Sequence, residues 1–514
     1  YTLNLEMLEG TTLNSNYLAV LVNNKDIKLL SSYNTATTVV NGSTESRTLD
    51  TGTLTPNGSK DYSISLWMDK SVTLSDDAQN KLFKSKVVID AVVTETAMDK
   101  IIASVDTTGK CPTINSDGTV NVTKAESTDG YVCSATDTYG TSYYYRGNVT
   151  NNYVKFADKY WRIVRINGDG TVRVIYDGTS AHTNGESSAD RQIGTSAFNY
   201  YWKKDNVQEA TNSNVYYDNA SVGYMYGNRD TITEATEYSS SASFTNTSTY
   251  YIAKEYNYDA TTDRFILKDP IAVLGSAMTA DYVGYYTFTS TSATGSNSYV
   301  YKIFGVTAGD SSASVKYGYV RYGTSSKEVA QTNTNDSTIK TYLDNWYKTN
   351  ISGTENEQYL ADNIFCNDRS FSSSNAGTGA GVSKTYYSWA SWHASKTNLK
   401  CPQQNDAFTV SDTTNGNGAL TYPIGLITTD EAVLAGGWTS SNNGYYLYSG
   451  SWYWASSPYY FNGWRARVVD VYSSGNSFDG YNADHPGGVR PVFNLKAEIL
   501  LQGSGTATDP YRIS

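Results

Sequence analysis

The chain has 514 residues, with 39 Lys and Arg against 50 Asp and Glu, for a formal net charge of −11. That length exceeds one ordinary core, so about two to four domains are expected. The acidic balance, without a Lys/Arg cluster, argues against nucleic acid as the main partner, because phosphate binding needs grouped cations.

No apolar run is long enough to span a bilayer, and no charged, apolar and small-residue series marks a signal peptide. Tyr1 is therefore read as the start of a processed chain or of its ordered part. The 46 tyrosines sit among many Thr, Ser, Asn and Gly, with only 9 Pro and 5 Met. Tyr and Thr favour pleated strands with one wet face, and Asn and Gly supply turns. An aromatic content of 13% sets the chain apart from disordered ones. Most single tyrosines are expected to be strand filler.

In chain order, the first 100 residues read as a β-sandwich. Strands are expected at Tyr1–Leu8, Tyr17–Val22, Ile27–Leu30, Ser46–Leu54, Asp61–Met68 and Lys84–Val93, with a helical turn at Asp76–Leu82. Residues 101–150 read as a linker carrying a hairpin. Its turn, Ile114-Asn115-Ser116-Asp117-Gly118-Thr119-Val120, recurs as Ile166-Asn167-Gly168-Asp169-Gly170-Thr171-Val172. Calcium loops would use the same residue types, but the EF-hand series ending in a bidentate Glu is missing. An Asp-Gly turn between β-branched residues is the better reading.

The four cysteines fall as local pairs, Cys111 with Cys133 and Cys366 with Cys401. No metal-ligand spacing accompanies them, so two short-range disulfides formed in an oxidising compartment are expected, with free buried thiols as the alternative. From Asn151, strands are expected at Tyr153–Phe156, Tyr160–Ile166 and Val172–Tyr176. Residues 180–336 read as an insert whose fold the sequence leaves open. A helix over Ser337–Asn350 places Ile339, Leu343, Trp346 and Tyr347 on one face. Further helices are expected over Glu355–Phe365 and from Thr428 to Gly436.

Two stretches carry family resemblances. Gly52–Leu54, Asp61–Met68 and Phe83–Val88 resemble the secreted jelly-roll subunits of bacterial biofilm fibres. Five later features go together: Tyr160–Thr171, Phe365-Cys366-Asn367-Asp368-Arg369, Asn405–Phe408, Tyr422–Ile427 and Gly488-Val489-Arg490-Pro491-Val492. With the helix at 338–349, they resemble bacterial C-type-lectin-like proteins related to the variable proteins of diversity-generating retroelements. What this resemblance implies is a non-catalytic display fold over 151–514. The expected fold class is mostly β with a few helices, an α+β C-terminal part following the N-terminal jelly-roll.

Residues 452–488 are dense in aromatics. In Arg465–Tyr472, Ala466, Val468 and Val471 are expected to face inward, with a bulge near Val469. Arg465, Arg467, Asp470 and Tyr472 would then point outward. Outward Tyr, Trp and Arg dominate binding hot spots because they bury much area at low entropy cost. By the resemblance, the variable positions correspond to Tyr459, Tyr460, Trp464, Arg465, Arg467, Asp470 and Tyr472, with Phe478, Asp479, Tyr481, Asp484 and His485 as further candidates. Trp452, Trp454, Val489 and Pro491 are assigned to scaffold. The competing reading packs these aromatics on the insert or on a neighbouring subunit.

His182, His393 and His485 lack a paired nucleophile motif, and no cofactor or metal is implied. The expectation is a secreted, extracellular, non-enzymatic protein that binds a protein or glycan ligand at the cell surface or on a filament. An alternative is self-assembly, in which Tyr1–Leu8 adds to a neighbour's sheet.

Overall fold

The computed structural model describes residues 1–36, 42–54, 59–73, 77–91, 97–125, 129–199, 218–234, 241–261, 264–288, 296–297, 299–307, 312–374, 376–390, 396–463, 465–475, 479–496 and 500–513. The chain is mostly β. It divides into two compact units, Tyr1–Glu95 and Thr96–Ser514.

The first unit holds β1 (Thr2–Leu8), β2 (Leu18–Val22), β3 (Lys28–Leu29), β4 (Asn34–Thr35), β5 (Ser43–Thr51), β6 (Ile64–Met68) and β7 (Ser85–Asp90). They form two sheets, ordered β4-β5-β1-β7 and β3-β2-β6. Period-2 alternation turns Leu3, Leu5 and Met7 of β1 and Leu18, Val20 and Val22 of β2 into one shared core. β1 is hydrogen-bonded to β5 on one side and β7 on the other, so it is an internal strand, not a free donor. Of the helical turn expected at 76–82, the described residues 77–80 form a turn without helix.

In the second unit, α1 (Ala97–Ala103) precedes β8 (Gly130–Asp137), β9 (Gly140–Gly147), β10 (Tyr153–Phe156), β11 (Lys159–Ile166) and β12 (Val172–Gly178). Residues 101–150 are therefore no linker: β8 and β9 join the main sheet, and Ile101, Val132 and Tyr145 enter its core. Both Asn-x-Asp-Gly-Thr segments make the same turn. In each, Gly118 (φ 83°) or Gly170 (φ 87°) takes the left-handed conformation, and the Asp carboxylate accepts from the Thr two residues on.

The later elements are β13 (Thr195–Ser196), α2 (Thr338–Asn350), β14 (Thr385–Tyr386), α3 (Thr429–Ala435), β15 (Tyr453–Phe461), β16 (Ala466–Val471), β17 (Asp479–Asn482), β18 (Gly487–Gly488), β19 (Val492–Leu495), β20 (Leu500–Gln502) and β21 (Tyr511–Ile513). The first sheet runs β8-β9-β11-β10-β21-β20, with β12 bridging β11 to β19; the second runs β13-β18-β15-β16-β17, with β14 on β15. Ser337 caps α2, and Ile339, Leu343 and Tyr347 are buried as its spacing requires. The helix expected over 355–365 is only a 3-10 turn, Glu355–Tyr359, because Phe365–Cys366 is drawn into a strand pair with Ala407–Phe408. Both disulfides form, Cys111–Cys133 and Cys366–Cys401.

The motif residues of this unit are mostly buried staples. Arg369 donates to Asp406 at 2.7 Å, and Arg490 donates to Leu447 O and Asp177. Asn367 bridges Tyr224 N and Ser456 O. Paired or backbone-bonded, such polar groups fix one arrangement of the loops they join.

Within the insert, the independent part is narrower than 180–336. Phe198, Val222, Tyr224 and Met225 belong to the main core. Residues 231–323 form their own seven-stranded sheet, with a further three-stranded one, around Phe244, Ile252, Ile303 and Val315 and around Phe265, Leu267, Val300 and Val320. The two-strand stem Met225–Tyr226 with Asn335–Asp336 leads into and out of it.

Candidate functional site

β15 holds the feature that builds the face. Trp454 pairs with Asp470, Pro458 with Val468 and Tyr460 with Arg467, so extra residues accumulate on β15 while β16 stays regular against β17. The expected bulge near Val469 thus lies on the partner strand. Because the bulge breaks alternation, the consecutive Tyr459 and Tyr460 stand side by side, ring centroids 4.9 Å apart.

Direct pairing lines up Tyr386, Tyr460, Arg467 and Asn482 across four strands. The Arg467 guanidinium lies 5.4 Å from the Tyr460 ring centroid, and its Nε donates to Asn482 Oδ1 at 3.1 Å. Tyr386 packs on Tyr460 at 5.6 Å. Tyr459 leans over Gly480, where no Cβ would fit. All four side chains of this face, Tyr386, Tyr459, Tyr460 and Arg467, are half-buried.

The remaining candidates divide. Asp470 is 0% exposed, a correction to its expected outward position. Regular alternation along β16 puts it on the same side as Ala466 and Val468. Tyr481 pairs with Val468, so it lies on the opposite side of the sheet from Arg467. There Tyr481, 36% exposed, forms a second cluster with His485 at 4.6 Å and Trp452 at 5.2 Å. Tyr472 is 41% exposed beyond the end of β16. Arg465 and Asp484 are half-buried, and burial pushes the Asp484 carboxyl up. Trp464, Phe478 and His393 lie outside the described residues, as does the side chain of Asp479. Of the scaffold assignments, Trp454 and Val489 are fully buried, and Trp452 is half-buried against Trp454.

Behind the tyrosine face lies a cavity. Trp389 joins the apolar cluster into which Tyr459 packs, and it also lines a cavity of about 250 Å³. The Thr428-x-x-Glu431 capping box starts α3 and sets Asp430 on its first turn, in the cavity wall. Asp430 Oδ2 accepts from Trp389 Nε1 at 2.9 Å, and Oδ1 accepts from Asn398 N at 2.7 Å. Burial, reinforced by the negative charges of Asp368 and Glu431, pushes the Asp430 carboxyl up to about 7. Beside it, Glu431 meets Arg165 at 2.9 Å and Arg173 at 2.6 Å, and Arg165 also meets Asp137 at 2.7 Å. Burial works against the Glu431 charge, but the two arginines outweigh it and hold the carboxyl low.

No family model, curated protein or solved structure matches this chain. Its site therefore rests on the geometry alone. Tyr386, Trp389, Asp368 and Asp430 escaped the sequence reading as site residues. Asp368 sits in the Phe365–Arg369 motif and Asp430 among the first-turn acids of α3, but 62 residues separate them. They reach one cavity through Ser388 Oγ, which donates to Asp368, and through Trp389 Nε1 and Asn398 N, which donate to Asp430.

Proposed function

We propose that this is an extracellular, non-enzymatic binding protein that presents Tyr386, Tyr459, Tyr460 and Arg467 to a protein or glycan ligand, on a C-type-lectin-like scaffold. One observation carries the reading: the β15 bulge sets two consecutive tyrosines on one face, with Arg467 stacked beside them and tethered to β17. Aromatic and Arg side chains held in place by strands and each other lose little freedom on binding, so most of their contact area becomes affinity. Both disulfides suit an oxidising compartment.

The test is attachment of purified protein to immobilised mucin and to a panel of immobilised glycans. Tyr460→Ala and Arg467→Ala should each cost about 2 kcal/mol, roughly thirtyfold in affinity, with an unchanged melting temperature. Saturable attachment that survives both changes would defeat the assignment, as would a wild-type protein that attaches to none of these surfaces.

A second reading, assembly through the first unit, is favoured by its edge. Among the described residues β7 has β1 on one side only, and its Val87 and Ile89 pair with the core residues Leu5 and Leu3 yet remain 51% and 62% exposed. An apolar edge of this kind invites a further strand. The occupant is β7 of a second copy: antiparallel pairing centred on Val88 sets Lys86 opposite Asp90 and Val87 opposite Ile89. Negative-stain images of concentrated protein should then show chains or pairs that Ile89→Lys disperses. Dispersed wild-type protein rules this assembly out.

A further inference from the structure

Each ring of the Tyr386–Tyr460 pair carries a cation. Register sets Tyr386, Tyr460 and Arg467 side by side on β14, β15 and β16, so the row crosses the strands at about 4.8 Å per step. Lys384 is exposed and holds its ammonium 5.4 Å from the Tyr386 ring centroid, and the Arg467 guanidinium lies at the same 5.4 Å from Tyr460. Arg467 is fixed by Nε, which donates to Asn482 Oδ1 at 3.1 Å, and by Nη1, which donates to Gly480 O at 3.3 Å. These two acceptors and both rings are neutral, so the contacts orient the cations without cancelling their charge. Arg465 and Asp484 stand close enough for their charges to act on each other, so that pair adds little of either sign. On a chain of net charge −11, such a row is where an anion is drawn.

The layout narrows the kind of anion. β15 is paired with β14 and β16, and β16 with β15 and β17, so the row crosses the interior of a sheet whose backbone is already hydrogen-bonded. An acidic peptide therefore has no edge there to join as a strand, and it would bind through flexible side chains that must be ordered. A sugar acid fixes its carboxylate to a rigid ring with an apolar C–H face. One such residue meets the Arg467 fork and a tyrosine ring together, and an Arg fork matches a carboxylate in two parallel bonds.

We propose that this face binds a uronate-containing oligosaccharide, with one carboxylate on Arg467, sugar rings against Tyr460 and Tyr386, and a second carboxylate toward Lys384. The inference rests on the reading of the tyrosine face as the binding site and names the ligand class of that site. Charge gives it a signature that a neutral glycan lacks: attraction between exposed charges is screened by salt, so the preference for the acid form must shrink as ionic strength rises.

The experiment is calorimetric titration of the whole protein, at low and at physiological salt, with trigalacturonate and with a hyaluronan hexasaccharide. The controls are the carboxyl-reduced form of each sugar and N-acetyl-triglutamate amide, an acidic peptide. At least one acid sugar should bind about tenfold more tightly than its reduced form, the worth of a charge-assisted hydrogen bond, with a smaller margin at the higher salt. Arg467→Gln should bring that ratio close to one. Lys384→Gln, at an exposed position, should weaken acid binding about threefold and leave the reduced sugar unaffected. If Arg467→Gln fails to fold, Lys384→Gln still decides. Acid and reduced sugars bound alike, neither acid bound, tighter binding of the peptide, or a ratio that survives both substitutions overturns the proposal. Mucin attachment that Tyr460→Ala abolishes, without any acid preference, defeats the uronate assignment alone, whereas attachment indifferent to Tyr460→Ala defeats the face itself.

Discussion

His182 faces two carboxylates at once: Nδ1 lies 2.7 Å from Glu186 Oε1 and Nε2 lies 2.9 Å from Asp190 Oδ2. Both contacts are hydrogen bonds only when the ring carries two protons. Burial disfavours the charged ring, but the bonds to Asp190 and Glu186 outweigh it and raise the His182 pKa above its ordinary 6.5. The stabilisation is complete below the unfolded value and is lost as pH rises through the higher folded value. Glu186 and Asp190 titrate in the opposite sense. Hydrogen bonding to His182 leads the shift that holds Glu186 low; burial opposes the shift at Asp190, where the bonds to His182 and Thr179 prevail. Their contribution is therefore present above their unfolded values and fades as pH falls through the folded ones. Because both carboxylates keep exposed surface, the clasp contributes only about 1 kcal/mol. Melting temperature plotted against pH should show a plateau with a fall on each side, and His182→Gln should remove the alkaline-side fall. An identical alkaline slope in the variant would count against the clasp.

Elements were legible in the sequence wherever local physics decides them. The α2 face, the Thr428–Glu431 capping box, the two Asp-Gly turns and the cysteine pairs all follow from spacings of a few residues, and each forms as expected. The chain is less readable where one element depends on another. Nothing local to β16 says that its irregularity belongs to β15, so the sequence reading placed a bulge at Val469 and turned Asp470 outward. A one-residue change of register flips every later side chain to the other face, which is how one expected binding face became two. The helix expected at 355–365 failed for a related reason: its last residues are claimed by a strand pair with 407–408. The cavity was invisible for the same cause, since Asp368 and Asp430 meet only through packing.

At the scale of the second unit, the insert is an appendage with cores of its own. Among the described residues, none in its two apolar clusters appears in the main core, and none of the main core lies between 231 and 323. Its ends also return to one place: Asp230 N donates to Gly323 O at 3.0 Å, and Ser325 N donates to the Asp230 carboxylate at 2.8 Å. Loop-closure cost grows slowly with length, so a chain of this size can leave and rejoin a scaffold at little expense when its ends are already adjacent. Excising residues 231–322 and joining Asp230 to Gly323 through a Gly-Asn turn should therefore leave the scaffold folded. The shortened protein is expected to melt cooperatively, within a few degrees of the scaffold transition in the full chain, and to retain both disulfides. The contacts it loses include those at the base, where Arg229 donates to Tyr322 O and Thr233 lies against Gly381. Loss of cooperative melting after excision would mean that the insert contributes to folding of the scaffold, and that its separate cores do not make it a separate folding unit.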